Sequence, residues 1–104
     1  MMFKSIFVKQ IFNSQEASDD VEFAVLNREE QLPFAPCPGH EFFWGCGKTQ
    51  KIVTAIWHIE DSYFSCGLED EFPDEIHIDG CDFNELVSTA QEDGWSLVKI
   101  YPAK

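Results

Sequence analysis

The 104-residue chain sets nineteen Asp and Glu against seven Lys and Arg, for a net charge of −12, and yet is 44% hydrophobic with ten phenylalanines. Size scaling gives about 6,000 Å² of surface, or one net negative charge per about 500 Å². Such a field repels nucleic acid and anionic membranes and attracts basic partners. The apolar content offsets the ordering entropy that keeps acidic low-complexity chains unfolded, and no run approaches the ~18 apolar residues of a membrane span.

Taken in chain order, Phe3 to Phe12 mixes β-branched and aromatic residues and predicts a strand. Its faces are Ile6, Val8 and Phe12 against Phe3, Phe7 and Ile11. After a polar turn, Val21 to Asn27 alternates with Val21, Phe23 and Val25 inward, a second strand and a hairpin. Residues 28–50, with Pro33, Pro36, Pro38, Gly39, Gly45 and Gly47, read as one long loop that also carries Phe34, Phe42, Phe43 and Trp44.

Lys51 to Glu60 is strongly β-branched and predicts a central strand covered on both faces. The turn at Glu60-Asp61-Ser62 joins it to Tyr63–Leu68 in a hairpin, and Glu75–Asp79 alternates as a further short strand. Asp82 with Glu85 three residues on forms a capping pattern for a helix whose apolar face is Phe83, Leu86, Val87 and Ala90. Gly94 stops that helix, and Trp95–Tyr101 is the final strand. The expectation is one α+β domain over 1–104, β-β-loop-β-β-β-α-β, mostly antiparallel, with one helix near the C-terminus packed on a face. Without a secretory pattern near the N-terminus, Cys37, Cys46, Cys66 and Cys81 are expected as reduced thiols in a cytoplasm.

Charge is segregated along the chain. Between Lys51 and Lys99 there is no Lys or Arg but twelve Asp and Glu, interleaved with Ile59, Phe64, Leu68, Phe72, Ile76, Ile78 and Phe83. Carboxylates held on a folded segment can occupy the phosphate-binding surface of a basic protein, as acidic immunity proteins and phage DNA mimics do, and complementary fields speed such association. The residues in that role are Glu60, Asp61, Glu69, Asp70, Glu71, Asp74, Glu75 and Asp79, with Phe43 and Trp44 as apolar anchors. The competing explanation is plain solvation.

Cys37-Pro-Gly-His40 followed by Cys46 has a workable zinc-chelate spacing but no second paired motif, so these three residues are weak metal candidates and no cofactor is expected. Gly45-Cys-Gly-Lys-Thr49 resembles the tail of a phosphate-binding loop, but Phe42 stands where the pattern requires glycine and a β-branched segment follows. His58 beside Glu60 and Asp61, or a Cys–His pair, offers general-base or nucleophile chemistry without a supporting motif. The expectation is a non-catalytic acidic protein that masks a basic nucleic-acid-handling protein such as a nuclease, with no direct nucleic-acid or membrane contact. The alternative is a small zinc-stabilised domain.

Overall fold

The computed structural model describes residues 2–14, 20–44, 48–73 and 83–103. Its elements are β1 (Phe3–Phe12), β2 (Phe23–Leu32), β3 (Glu41–Trp44), β4 (Lys48–His58), β5 (Tyr63–Leu68), α1 (Phe83–Glu92) and β6 (Ser96–Tyr101). The six strands form a mostly antiparallel sheet in the order β3-β4-β5-β1-β2-β6. The fold class is therefore α+β, with one helix among the described residues, before the last strand. β1 and β5 pair in parallel, Ser5 opposite Phe64 and Val8 opposite Gly67. By packing, the chain divides into two compact units, residues 1–8 with 27–69 and residues 9–26 with 70–104.

The first unit is built on the β4–β5 hairpin. Its register runs from His58 opposite Tyr63 to Ile52 opposite Leu68, with a bulge between Ile52 and Thr54. Period-two alternation then separates two faces. One face buries Ser5 and Phe7 of β1, Ile52 of β4, and Cys66 and Leu68 of β5. Phe7 meets Phe42 and Trp44 edge-on at 5.1 and 5.5 Å between ring centroids, the arrangement that ring quadrupoles favour.

Residues 33–40 connect β2 to β3, and their centre is a tight turn. Pro38 and Gly39 occupy its middle positions, Gly39 has φ 93°, and the His40 N–H donates to the Cys37 carbonyl at 3.2 Å. Pro followed by a positive-φ Gly is the signature of a type II turn. Gly39 and His40 are anchored in turn on Ile52 by a pair of backbone hydrogen bonds of 2.9 Å.

In the second unit α1 buries Phe83, Leu86, Val87 and Ala90, the stripe read from the sequence. Its end is a Schellman motif. Gly94 takes φ 103°, Trp95 N–H donates to the Ala90 carbonyl at 3.0 Å, and Gly94 N–H donates to Gln91 at 3.2 Å. Trp95 is buried beside this stop and leads directly into β6. Four rings stack in sequence, Phe72 on Phe12, Phe12 on Phe23, and Phe23 on Tyr101, with centroids 5.7, 5.2 and 4.8 Å apart. Lys9 is also buried here, its Nζ 2.9 Å from Glu71 Oε2 and 4.4 Å from the Trp95 ring centroid.

Three sequence expectations need correction. The long loop is only eight residues, because β2 extends to Leu32, β3 occupies Glu41–Trp44 and β4 begins at Lys48. Charges at Arg28, Glu29 and Glu30 hid the continuing alternation that buries Leu32. In β2 the inward residues are Ala24 and Leu26, whereas Phe23 joins the ring stack. Both faces of that segment are apolar, so sequence period alone could not choose between them. Finally, β4 is not covered on both faces, since Val53, Ile56 and Trp57 are largely exposed. The Glu75–Asp79 strand and the Asp82 cap lie outside the described residues.

Candidate functional site

Glu60 and Asp61 occupy the turn between β4 and β5, where Ser62 adopts φ 55° and its N–H donates to the His58 carbonyl at 2.8 Å. This four-residue connection fixes the backbone and leaves both carboxylates exposed. Glu69 and Asp70 follow the other end of β5 and are also exposed. Six strand residues separate the two pairs, about 20 Å along the strand. None of those six, Tyr63 to Leu68, is charged. Glu60, Asp61, Glu69 and Asp70 thus form two pairs at the ends of an uncharged strand.

The acids differ in what they do for the fold. Glu69 Oε1 accepts the Lys51 backbone N–H at 2.8 Å. Glu71, counted with the partner-facing acids from the sequence, is half-buried and neutralises Lys9, so most of its charge is spent inside the protein. Incomplete hydration raises the Asp70 carboxyl above its ordinary value. Asp74, Glu75 and Asp79 lie outside the described residues.

The two aromatic anchors separate. Phe43 is 72% exposed. Trp44 is buried against Phe7 and Phe42, with the Arg28 guanidinium 5.1 Å from its ring centroid. Strand alternation explains the split, since β3 pairs Phe42 with Gln50 and Phe43 with Thr49 on opposite faces. Trp44 is thus corrected from an interface anchor to a core residue. Exposed apolar surface lies instead on the β4 side, at Val53, Ile56, Trp57 and Ile59, the last 81% exposed. Sequence reasoning had assigned this run to the interior.

Cys37 and His40 are brought together by the type II turn. The Cys37 N–H donates to His40 Nδ1 at 3.2 Å, and Sγ lies 3.3 Å from Nε2. Because Nδ1 accepts, a neutral ring carries its proton on Nε2 and directs it at the sulfur. A metal bound at Nε2 would need that proton moved to Nδ1, against the Cys37 N–H. The spacing that suggested a chelate is thus explained by turn geometry, with Phe34 edge-on to the imidazole at 5.4 Å. Among the described residues no group of three or more His, Cys, Asp or Glu is placed to hold a metal ion. Cys46 lies outside those residues.

His58 lies flat on Tyr63, 4.2 Å between centroids and 6° between planes, with Lys4 Nζ 5.9 Å from the same phenol ring. Cys66 is fully buried, and burial pushes its thiol from 9.0 up to about 11. One polar residue escaped sequence reasoning altogether. Gln50 is 5% exposed, and among the described residues neither atom of its amide has a hydrogen-bond partner. Compared with protein-family models, with curated proteins and with solved structures, the chain matches none. Among the described residues no helix is long and apolar enough to cross a membrane.

Proposed function

We propose that this protein is a non-catalytic binding protein that masks a basic, nucleic-acid-handling protein. The observation that carries the reading is the pairing of exposed carboxylates, Glu60 with Asp61 and Glu69 with Asp70, at the two ends of the uncharged strand β5. The turn and the Glu69–Lys51 hydrogen bond hold the two sites about 20 Å apart, a distance that spans roughly six phosphates of one nucleic-acid strand at 3.4 Å rise. Carboxylates so placed can occupy two Lys or Arg clusters that otherwise grip a sugar–phosphate backbone. The net charge of −12 adds long-range steering toward such a surface.

The test is capture by the tagged protein from its source cells, washed at low and then high salt, beside a Glu60→Lys/Asp61→Lys/Glu69→Lys/Asp70→Lys variant. The expected result is a basic nucleic-acid-binding protein or nuclease, retained stoichiometrically at low salt, released by high salt and missing from the variant. An identical captured set for both proteins would reject the role assigned to these carboxylates.

A further inference from the structure

Beyond the acids, the first unit presents a second feature that bears on the partner's shape. On the sheet face opposite Phe7 and Cys66, β5 carries Tyr63, stacked on His58 of β4, and then the small Ser65 and Gly67, with Ile56 and Thr54 of β4 on one side and Ile6 and Val8 of β1 on the other. Ile56 and Ile6 both flank Ser65, and Val8 flanks Gly67. A methyl group at Gly67 would come within 2.6 Å of Thr54 Oγ1, so the middle of the face is closely fitted and low. The result is a shallow trough over Ser65 and Gly67, bounded toward the β4–β5 turn by the Tyr63–His58 stack and banked by Ile56 on one side and Ile6 and Val8 on the other, about 10 Å apart, twice the strand spacing. Ile56 is 57% exposed, and Phe43 lies farther out on β3 at 72%. Along the chain, Glu60 and Asp61 precede β5, beyond Tyr63, and Glu69 follows its other end. An exposed apolar strip with charged ends is the pattern of an interface centre and its rim.

We infer that this trough receives an amphipathic helix of the partner, with an apolar stripe in the middle and Lys or Arg at both ends. Two observations select that occupant. β5 is an internal strand, hydrogen-bonded on both sides by β4 and β1, so it has no free edge for strand addition. Whatever lies over it must satisfy its own backbone, as a helix does. The carboxylate pairs then call for cations at both ends, and a span of about 20 Å corresponds to about 13 helical residues at 1.5 Å each. The inference rests on the reading of the acids as partner contacts and adds the apolar centre.

The probe is a fluorescein-labelled 15-residue peptide with Leu at helical i, i+3, i+4 and i+7 spacing and two Arg at each end. Its control keeps the same sequence except for a central Pro-Pro that breaks the helix. Anisotropy titrations use the wild-type chain, an Ile56→Glu variant and a Glu60→Lys/Asp61→Lys variant, with circular dichroism confirming that each is folded. Sedimentation of the wild type over a concentration series accompanies them. The inference expects saturable binding of the helical probe, at least tenfold weaker for the Pro control and for each variant. Binding lost on charge reversal but unchanged in Ile56→Glu would overturn the trough and leave the carboxylates standing. Absence of binding to the folded wild type would overturn it too. So would concentration-dependent dimerisation that Ile56→Glu abolishes, since a second copy would then be the occupant.

Discussion

Replacing Gln50 by leucine should make this protein more stable. Gln50 points into the buried face of the first unit, opposite Phe42 on β3, and its amide has neither donor nor acceptor satisfied among the described residues. A buried polar group without a partner forfeits its hydration, which mutational data place at about 1–3 kcal/mol. Leucine has nearly the same reach and no polar atoms, so the substitution removes that penalty and adds apolar burial. The expected gain is about 1–3 kcal/mol, and at about 4–8 °C per kcal/mol for a chain this small Tm rises by roughly 4–24 °C. Thermal unfolding followed by circular dichroism, with urea titration to check that the m-value is unchanged, reads the effect directly. Gln50→Met, which better copies the unbranched shape, should gain a similar amount. A loss of stability in both variants would refute the argument, because it would mean that the native amide is engaged by a group or a buried water.

Other consequences are equally specific. Glu71→Leu strands the Lys9 ammonium beside Trp95 and should cost about 3–5 kcal/mol, whereas Lys9→Met/Glu71→Leu should recover most of it; urea unfolding of the wild type, Lys9→Met, Glu71→Leu and the double variant closes the cycle, and full additivity would refute the coupling. Gly67→Ala should cost about 1–3 kcal/mol by overpacking against Thr54, and adding Thr54→Ala should restore it; an unchanged deficit in the double variant would point away from the Thr54 clash. Burial raises the Cys66 thiol to about 11 in the folded protein, above the ordinary value of 9.0 that it has when exposed on unfolding. The stability it contributes is therefore fully present below pH 9 and is lost as pH rises through 11, by up to about 3 kcal/mol at 1.36 kcal/mol per unit. A Cys66→Val variant should lack that alkaline slope; an equal slope would refute it. At pH 8, native protein treated with iodoacetamide should be labelled at exposed Cys37 and spared at Cys66, which peptide mass spectrometry resolves.

Much of the fold was legible along the chain because its signals are local. Phe83, Leu86, Val87 and Ala90 repeat at helical spacing, and Gly94 is free to take the positive φ that a Schellman stop needs. The strand Phe3–Phe12 and the hairpin around Glu60-Asp61-Ser62 were equally readable from β-branched content and turn residues. β3 was not readable. Glu41–Trp44 is four residues between turn-forming segments, and it is a strand because Lys48–Lys51 lies opposite it. The Cys37–His40 spacing was legible as a pattern but ambiguous in meaning, since a type II turn and a chelate both bring positions i and i+3 together.

By itself, then, the sequence determined the α+β class, the helix with both its buried stripe and its stop, and the uninterrupted run of acids. Which apolar residues of the strands face inward was decided only by tertiary structure. Ile56 and Trp57 belong to a run as apolar as any core strand, yet they are exposed, while Lys9 and Gln50 are polar and buried. Tertiary structure likewise turned Glu71 inward to Lys9, while Glu60, Asp61, Glu69 and Asp70 stayed exposed. The reason is physical. Backbone periodicity fixes which residues share a face of a strand, but what covers that face depends on neighbours distant in the chain.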